Sequence, residues 1–253
     1  MKKRLDVLLV ERGLAESRAQ AQALVMAGLV HGHSKAGEQI DEAAPLEVEA
    51  PPPYVSRAGH KLANALDAFG VDPRGLDCLD LGASTGGFTD VLLQRGAARV
   101  IAVDVGHGQL HARLRGDSRV VVLERTNARE LDELPFAPEL VVCDVSFISV
   151  RLALPPALRL AAPGWHALVL VKPQFEAGRA EVPKGVVRDA SVQRRVLREI
   201  AESSLAWEAR VLGVVDSGLP GPKGNREFVL HLAHDERPGL PADLELRIAD
   251  AVG

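Results

Sequence analysis

The chain of 253 residues is 47% hydrophobic and 25% charged, with 30 basic against 34 acidic side chains. That is the make-up of an ordinary folded protein, and it excludes collagen-like, disordered and membrane-bundle architectures. Cys78 and Cys143 are the two cysteines, far apart and each inside an apolar run, which excludes a disulfide framework and a cysteine-based zinc site; no metal site is expected. The start, Met1 to Asp6, is basic like a secretion signal, but Asp6, Glu11 and Arg12 interrupt the apolar stretch such a signal needs. No run approaches the roughly 18 apolar residues of a membrane span. A monomeric cytoplasmic protein that makes no use of membranes is expected.

Charge is uneven along the chain. Residues 1 to 35 carry six bases (Lys2, Lys3, Arg4, Arg12, Arg18, Lys35) against three acids, whereas residues 36 to 50 carry five acids and no base. Leu5, Leu8 and Leu9 predict a short amphipathic helix ended by Gly13. Ser17 caps a second, with Ala21, Leu24 and Val25 on one face and Gly28 closing it. Short strand-like pieces follow at Leu29 to His31 and Leu46 to Glu49. Residues 1–50 thus form a small α+β domain, and residues 51–55, opening on three prolines, a stiff linker.

Residues 56–236 change texture, strands now alternating with helices, which predicts an α/β, Rossmann-like fold with a mostly parallel seven-stranded sheet. Apolar runs at Cys78 to Leu81, Val100 to Asp104, Val120 to Leu123, Leu140 to Cys143 and Ala167 to Val171 read as strands buried on both faces. Phe88 to Leu93 and Ala157 to Ala161 read as crossover helices, and Asp189 to Ala206 as a long helix capped by its aspartate. The last two strands, Arg210 to Val215 and Phe228 to Leu232, are joined by a turn-rich loop too short for a crossover helix, so they should be antiparallel. Residues 237–253 read as a polar tail, with a short helix near Leu244 to Val252.

The run Asp80-Leu81-Gly82-Ala83-Ser84-Thr85-Gly86-Gly87-Phe88 takes a strand through a glycine-rich turn into a helix, where glycines let backbone approach a ligand closely. Its spacing, G-x-x-x-G-G, departs from the dinucleotide fingerprint G-x-G-x-x-G, and Asp80 is a poor neighbour for a pyrophosphate. Asp80 suits instead the cationic amino-acid end of S-adenosylmethionine. Asp104, followed by Val105, ends the next strand 22 residues after Gly82, where a carboxylate in this fold class bonds ribose hydroxyls. Asn127 follows the third strand, placed to reach the adenine edge. Each feature alone is commonly a plain turn or cap; together and in this order they favour a cofactor site binding a methyl donor.

Parallel strands point their C-terminal ends at one edge, where ligands sit. Asp144 follows the fourth strand and Lys172 the fifth; an antiparallel last strand starts on that same edge, which brings Glu227 there. A lysine flush against an apolar strand, flanked by carboxylates, can take or steer the proton of a ribose hydroxyl, a weak acid that must lose it to be methylated. Singly, each is more often a surface ion-pair partner. Lys61 is not placed by this argument.

These motifs are similar to those of the TlyA, or hemolysin A, family of ribosomal RNA 2′-O-methyltransferases. The resemblance runs through Arg4-Leu5-Asp6, Ser17-Arg18, Val55-Ser56-Arg57-Ala58-Gly59-His60-Lys61-Leu62, Asp80 to Thr89, Asp104-Val105-Gly106, Glu124 to Arg129, Asp144 to Ser149, Val171 to Glu176, Pro220-Gly221-Pro222 and Gly224-Asn225-Arg226-Glu227. It implies an S4-type RNA-binding domain ahead of an FtsJ-like methyltransferase, S-adenosylmethionine as cofactor, and a Lys-Asp-Lys-Glu catalytic set on Lys61, Asp144, Lys172 and Glu227. It also implies a cytidine of large-subunit rRNA as target, with small-subunit rRNA as an additional substrate in some members; the short start inclines the choice to the large subunit. Members linked to interdomain signalling carry a tryptophan where Tyr54 stands here.

Arg4, Arg18, Lys35 and Arg57, with Lys2 and Lys3, are candidate contacts to the phosphates of rRNA or a ribosomal subunit. Arg188, Arg194, Arg195 and Arg198 form a second basic run, equally readable as a solvated helix face. Aromatics at 4% argue against binding by base stacking alone. The rival readings are a non-catalytic RNA-binding ribosome-assembly factor, a small-molecule methyltransferase, and a lysin; no amphipathic cationic helix supports the last.

Overall fold

The protein is described by a computed structural model over residues 1–50 and 52–253. Pro51, the first residue of the expected linker, lies outside the described residues. The chain divides into two compact units, Met1–Pro53 and Tyr54–Gly253.

In the first unit, strand β1 (Lys2–Arg4) leads into helix α1 (Leu5–Glu11), then helix α2 (Arg18–Met26) and strand β2 (Gln39–Asp41). Leu5, Leu8, Leu9, Ala21, Leu24, Val25 and Ile40 form its core, the helical faces that the leucine spacing predicts. Ser17 accepts a hydrogen bond from the Gln20 amide at 3.2 Å as the cap of α2, and Gly13 takes φ +69° where the chain leaves α1. The expected strands at 29–31 and 46–49 reduce to a single bridge, Val30 to Val48, with Gly32, at φ +76°, turning the chain away two residues after Val30. The ladder of this unit is β1 against β2, antiparallel, with Lys3 opposite Ile40.

The second unit contains α3 (Ala58–Phe69), β3 (Asp77–Leu81), α4 (Gly87–Gln94), β4 (Arg99–Asp104), α5 (Ala112–Arg115), β5 (Val120–Glu124), β6 (Leu140–Cys143) and α6 (Val150–Arg159). It continues with β7 (His166–Val171), α7 (Pro173–Glu176), α8 (Ala190–Ser204), β8 (Ala209–Asp216), β9 (Phe228–His234) and α9 (Leu244–Val252). The seven strands are ordered β5-β4-β3-β6-β7-β9-β8. Every pairing from β5 to β7 is parallel, and β9 runs antiparallel to both neighbours. Apolar side chains fill both faces of this α/β sheet. Among the described residues no helix is long and apolar enough to cross a membrane, and no cluster of three or more metal-ligating side chains occurs.

In this unit one helix starts earlier than the sequence reading has it, and the expected helix Leu244–Val252 is present but packed into the core. Helix α6 begins at Val150, not Ala157, with Ser149 Oγ accepting from the Arg151 amide at 3.1 Å and Pro155 and Pro156 inside it. An interior proline costs about 3 kcal/mol, but Ala153, Leu154, Ala157 and Leu158 are all buried on this helix, and burying one leucine side chain alone recovers about 1.5–3 kcal/mol. Residues 237–253 are not a loose tail: Leu244, Ile248, Ala251 and Val252 of α9 join the main core, and Arg226 donates to the carbonyls of Ala251 and Val252. Ile248→Ala, at a fully buried position, is expected to destabilise the second unit by about 2–5 kcal/mol. Urea unfolding of the full chain checks this, and a loss well under 1 kcal/mol would show that α9 is not core.

Candidate active site

The sheet register sets the order of the polar groups along its C-terminal edge. Leu81 pairs with Cys143, so Gly82 and Asp144 leave adjacent strands side by side, and Val171 pairs with Phe228, so Lys172 and Glu227 do the same. The first of these approaches is tight: a Cβ on Gly82, which has φ +89°, would lie 2.6 Å from the Asp144 carbonyl oxygen. Lys61 arrives from α3. Its Nζ donates to Glu227 Oε2 at 2.5 Å, and Lys172 Nζ lies 2.5 Å from Asp144 Oδ1 while donating to Ser146 Oγ at 2.8 Å. The Lys172–Asp144 contact is an ion pair by distance whose alignment falls short of a hydrogen bond. Glu227 is wholly buried, and each lysine is 9% exposed. All four residues expected to act together therefore gather at one edge, as two lysine–carboxylate pairs.

A cavity of about 150 Å³ opens beside them, lined by Asp80, the turn from Gly82 to Thr85, Asp144 and Lys172 among others. Gly87 and Phe88 also line it, whereas Gly86, Asp104, Val105 and Asn127 do not. Gly86 and Gly87 pack closely against neighbouring side chains. A Cβ on Gly86 (φ +93°) would stand 2.3 Å from the Leu114 side chain, and one on Gly87 2.2 Å from Ser56 Oγ. Asp104 lies one strand further out, its carboxylate accepting the amides of Ser84 at 2.7 Å and Gly106 at 2.6 Å. The neighbouring Val105 is 75% exposed, an apolar surface outside that carboxylate. Asn127 caps a short turn: its side chain accepts from the Arg129 amide and donates to Glu130.

Asp80 is the most unusual group. It is fully buried, its Oδ2 accepts from the Thr89 amide at 2.8 Å and Thr89 Oγ1 at 2.6 Å, and its Oδ1 is buried with no hydrogen-bond partner among the described residues. Burial pushes its pKa up to about 7; the Thr89 hydrogen bonds oppose that rise, and the nearby Asp144 and Asp104 charges add to it. An orphaned carboxylate oxygen lining a cavity is what a cationic ligand would satisfy, so the residues present fit the ammonium and sulfonium of S-adenosylmethionine.

Of the RNA candidates, Arg4 and Arg18 are tied to the buried Asp6: Arg4 Nη2 and Arg18 Nη2 each lie 2.9 Å from its Oδ2, joined by Gln22 Nε2 at 3.0 Å. These bonds hold the Asp6 carboxyl well below the usual range, the Arg4 bonds most strongly. Two arginines on one aspartate leave a net positive pair, both still half exposed. Lys35 is exposed, and Arg57 lines a second cavity together with Lys61. In the other basic run, Arg195 pairs with Glu181 and Glu199, and Arg198 with Glu245, which fits a solvated, ion-paired face.

Three groups at the site carried no sequence signal that singled them out. Ser146 receives Lys172; its place two residues after Asp144 is the one clue. Glu176 bonds Ser149 Oγ at 2.5 Å and the Val150 amide at 2.7 Å, joining the segment after Lys172 to the start of α6. Phe147 is 91% exposed at φ +64°, with its ring 5.0 Å from that of Phe175.

Sheet order, edge chemistry and the glycine turn together define a Rossmann-like methyltransferase fold carrying a small N-terminal unit. The FtsJ-like methyltransferase family matches residues 54–234, and the S4 domain matches residues 3–31. The chain belongs to the FtsJ-like methyltransferase family, in its S4-bearing TlyA branch. It is 47% identical over 240 residues to a protein of Mycobacterium tuberculosis named 16S/23S rRNA (cytidine-2'-O)-methyltransferase TlyA, covering 90% of this chain and 89% of that one. It is 39% identical to Hemolysin A of Brachyspira hyodysenteriae over 90% of this chain and 98% of that one. A solved structure of a candidate hemolysin from Streptococcus thermophilus, 41% identical, superposes with a TM-score of 0.75 and covers 99% of this chain and 95% of that one.

The Asp80 environment has a thermodynamic consequence. Its folded-state pKa, about 7, lies above the unfolded value near 4. Between those limits the folded chain holds a proton that the unfolded chain has lost, so this group lowers stability progressively as pH rises from about 4 to about 7. Without ligand, Asp80→Asn is expected to match the parent near pH 4 and to be the more stable at pH 8. Denaturant midpoints at the two pH values check this; a variant no more stable at pH 8 would contradict a costly buried charge.

Proposed function

We propose that this protein is an S-adenosylmethionine-dependent methyltransferase acting on the 2′-hydroxyl of a cytidine in ribosomal RNA, of the large subunit and, as a further target, of the small subunit. In this reading it works in the cytoplasm, where ribosomal RNA is modified, and as a monomer. The observation that carries the reading is the pair of lysine–carboxylate contacts at the strand edge, Lys172 with Asp144 and Lys61 with Glu227, opening on the cavity that holds the orphaned Asp80 oxygen. The naming of the Mycobacterium tuberculosis relative supports the substrate.

When bound, the donor supplies an electrophilic methyl group. Asp80 and the turn from Gly82 to Phe88 hold its charged end. Asp104 supplies acceptor oxygens for ribose hydroxyls beside the exposed Val105, with Asn127 further along the same edge. Lys172 has three N–H donors; one goes to Ser146 while the ammonium stays in ion-pair contact with Asp144, so a donor remains for the oxygen of an incoming ribose hydroxyl. As that oxygen is methylated its proton must leave: Lys172 passes one of its own protons to Asp144 and takes the hydroxyl's proton in its place. The Lys61–Glu227 pair sits beside them through the β7–β9 register and fixes the far wall of the site.

An RNA substrate is further supported by Phe147. A bulky side chain in the left-handed backbone region is strained, and this one stands 91% exposed, next in sequence to Ser146. An exposed ring there offers a face on which a base drawn out of its stack can rest. In the first unit, Arg4 and Arg18, set by Asp6, with Lys35, supply a basic face for the RNA backbone.

Methylation mapping of rRNA treated with the purified protein and S-adenosylmethionine tests the reading directly. Lys172→Ala is expected to lower methyl transfer by at least about 10²-fold while donor and rRNA binding persist. Normal turnover in that variant would favour the non-catalytic assembly-factor reading. Donor affinity, measured by calorimetry, is expected to rise as pH climbs through about 7, the pKa of Asp80, because the ionised carboxylate is the form that receives a cation. Asp80→Asn should bind more weakly and lose that dependence; a flat profile in the parent would remove Asp80 from the donor site.

A further inference from the structure

A second cavity, of about 320 Å³, lies against the Lys61–Glu227 pair and is lined by Arg57, Ala58, Lys61, Gly221 and Lys223, among others. Its lining holds three cations and no carboxylate. Lys61 is committed to Glu227, whereas Arg57 and Lys223 are exposed and have no acidic partner among the described residues. We propose that this cavity is the seat of the phosphodiester adjoining the target ribose, with Arg57 and Lys223 as its two cations. The inference rests on the reading of the site as an RNA 2′-O-methyltransferase and deepens it.

The chemistry requires such a seat. On a ribose, the oxygen that carries the 3′ phosphodiester is bonded to the carbon next to the one bearing the 2′-hydroxyl. A hydroxyl delivered to Lys172 therefore brings a fixed negative charge within a few ångströms. The two cavities share Ala58 in their walls, so a group in the second one adjoins the first. Lys61 and Lys172 are already matched by Glu227 and Asp144, so the phosphodiester's own charge needs further cations to meet it.

The loop that presents Lys223 is built for precision. Lys223 has φ +57°, the left-handed region that a lysine enters at a cost, and Gly224 follows at φ +80°. Asn225, 3% exposed, holds the turn. Its Nδ2 donates to the carbonyls of Pro222 at 3.1 Å and Gly185 at 2.9 Å, its Oδ1 accepts from the Val187 amide at 3.1 Å, and its own carbonyl accepts from Gly221 at 2.8 Å. Gly221 closes on the catalytic pair so tightly that a Cβ there would fall 1.9 Å from Glu227 Oε1. Lys223 Nζ makes one bond, to the Lys184 carbonyl at 3.3 Å, which leaves two N–H groups for an anion.

The molecule contains its own control. Pro183-Lys184-Gly185 repeats the turn Pro222-Lys223-Gly224 with nearly the same backbone, φ +55° and +82° at its lysine and glycine, but Lys184 does not line the cavity. Diffuse attraction to a polyanion would treat the two lysines alike; a seat would not. The test measures methyl transfer to rRNA, and the salt dependence of rRNA binding, for Arg57→Ala, Lys223→Ala, Lys223→Arg and Lys184→Ala. Arg57→Ala and Lys223→Ala are expected to raise KM for rRNA several-fold each, with the loss falling on KM and donor affinity unaltered. Together they should reduce the salt slope of binding by about one to two. Lys223→Arg should restore most of the loss, and Lys184→Ala should behave as the parent. Equal losses in Lys184→Ala and Lys223→Ala, an unchanged KM and slope, or a loss confined to kcat would each overturn the seat while leaving the methyltransferase reading intact. Absence of any rRNA methylation by the parent protein would instead overturn that reading, and the seat with it.

Discussion

Two lysine–carboxylate pairs at the end of the sheet, Lys172 with Asp144 and Lys61 with Glu227, are the interaction on which the site depends. Glu227 is fully buried against Lys61, and removing one partner of such a buried pair typically costs about 3–5 kcal/mol because one charge is stranded. The pairs therefore tie four chain segments, α3 and the ends of β6, β7 and β9, into one spatial arrangement. Strand β9 makes this possible. By entering antiparallel between β7 and β8 it starts, rather than ends, at the active edge and so delivers Glu227 there.

The glycine-rich turn serves two ends. Gly82 allows β3 and β6 to leave the sheet in contact, and Gly86 and Gly87 let the turn pack against Leu114 and Ser56. Closing the turn in this way leaves Asp80 beneath it with one oxygen bonded to Thr89 and the other unpaired. The protein thus keeps a destabilised carboxylate facing a cavity, a common arrangement where a ligand of opposite charge completes the structure.

In the N-terminal unit the same principle works through a different geometry. Asp6 is buried and pairs with Arg4 and Arg18; these salt bridges do not neutralise the face, since one negative charge is shared by two positive ones. Buried carboxylates in both units orient cationic side chains: lysines at the sheet edge, arginines on the small domain. Glu176 extends the idea to the backbone, linking the segment after Lys172 to the first turn of α6 through Ser149 and Val150.

Much of this was legible in the order of residues. The alternation of apolar runs, the turn after Asp80, and Asp144 and Lys172 directly after strands follow from local periodicity and strand direction, which a chain carries in its own sequence. The antiparallel last strand was legible too, because its connecting loop is too short to cross over. Lys61 was named by the motif resemblance but not placed by strand direction: it lies on a helix, 166 positions before Glu227, and only the packing of α3 beside the sheet brings the two within 2.5 Å. The β1–β2 ladder, the early start of α6 across two prolines and the burial of α9 were likewise set by long-range contacts that outweigh local preference. The sequence by itself determined which chemistry the chain carries and the edge at which most of it lies. Tertiary structure alone decided which lysine meets which carboxylate and which glycines are steric necessities, because ion pairing and close packing act between segments far apart in sequence.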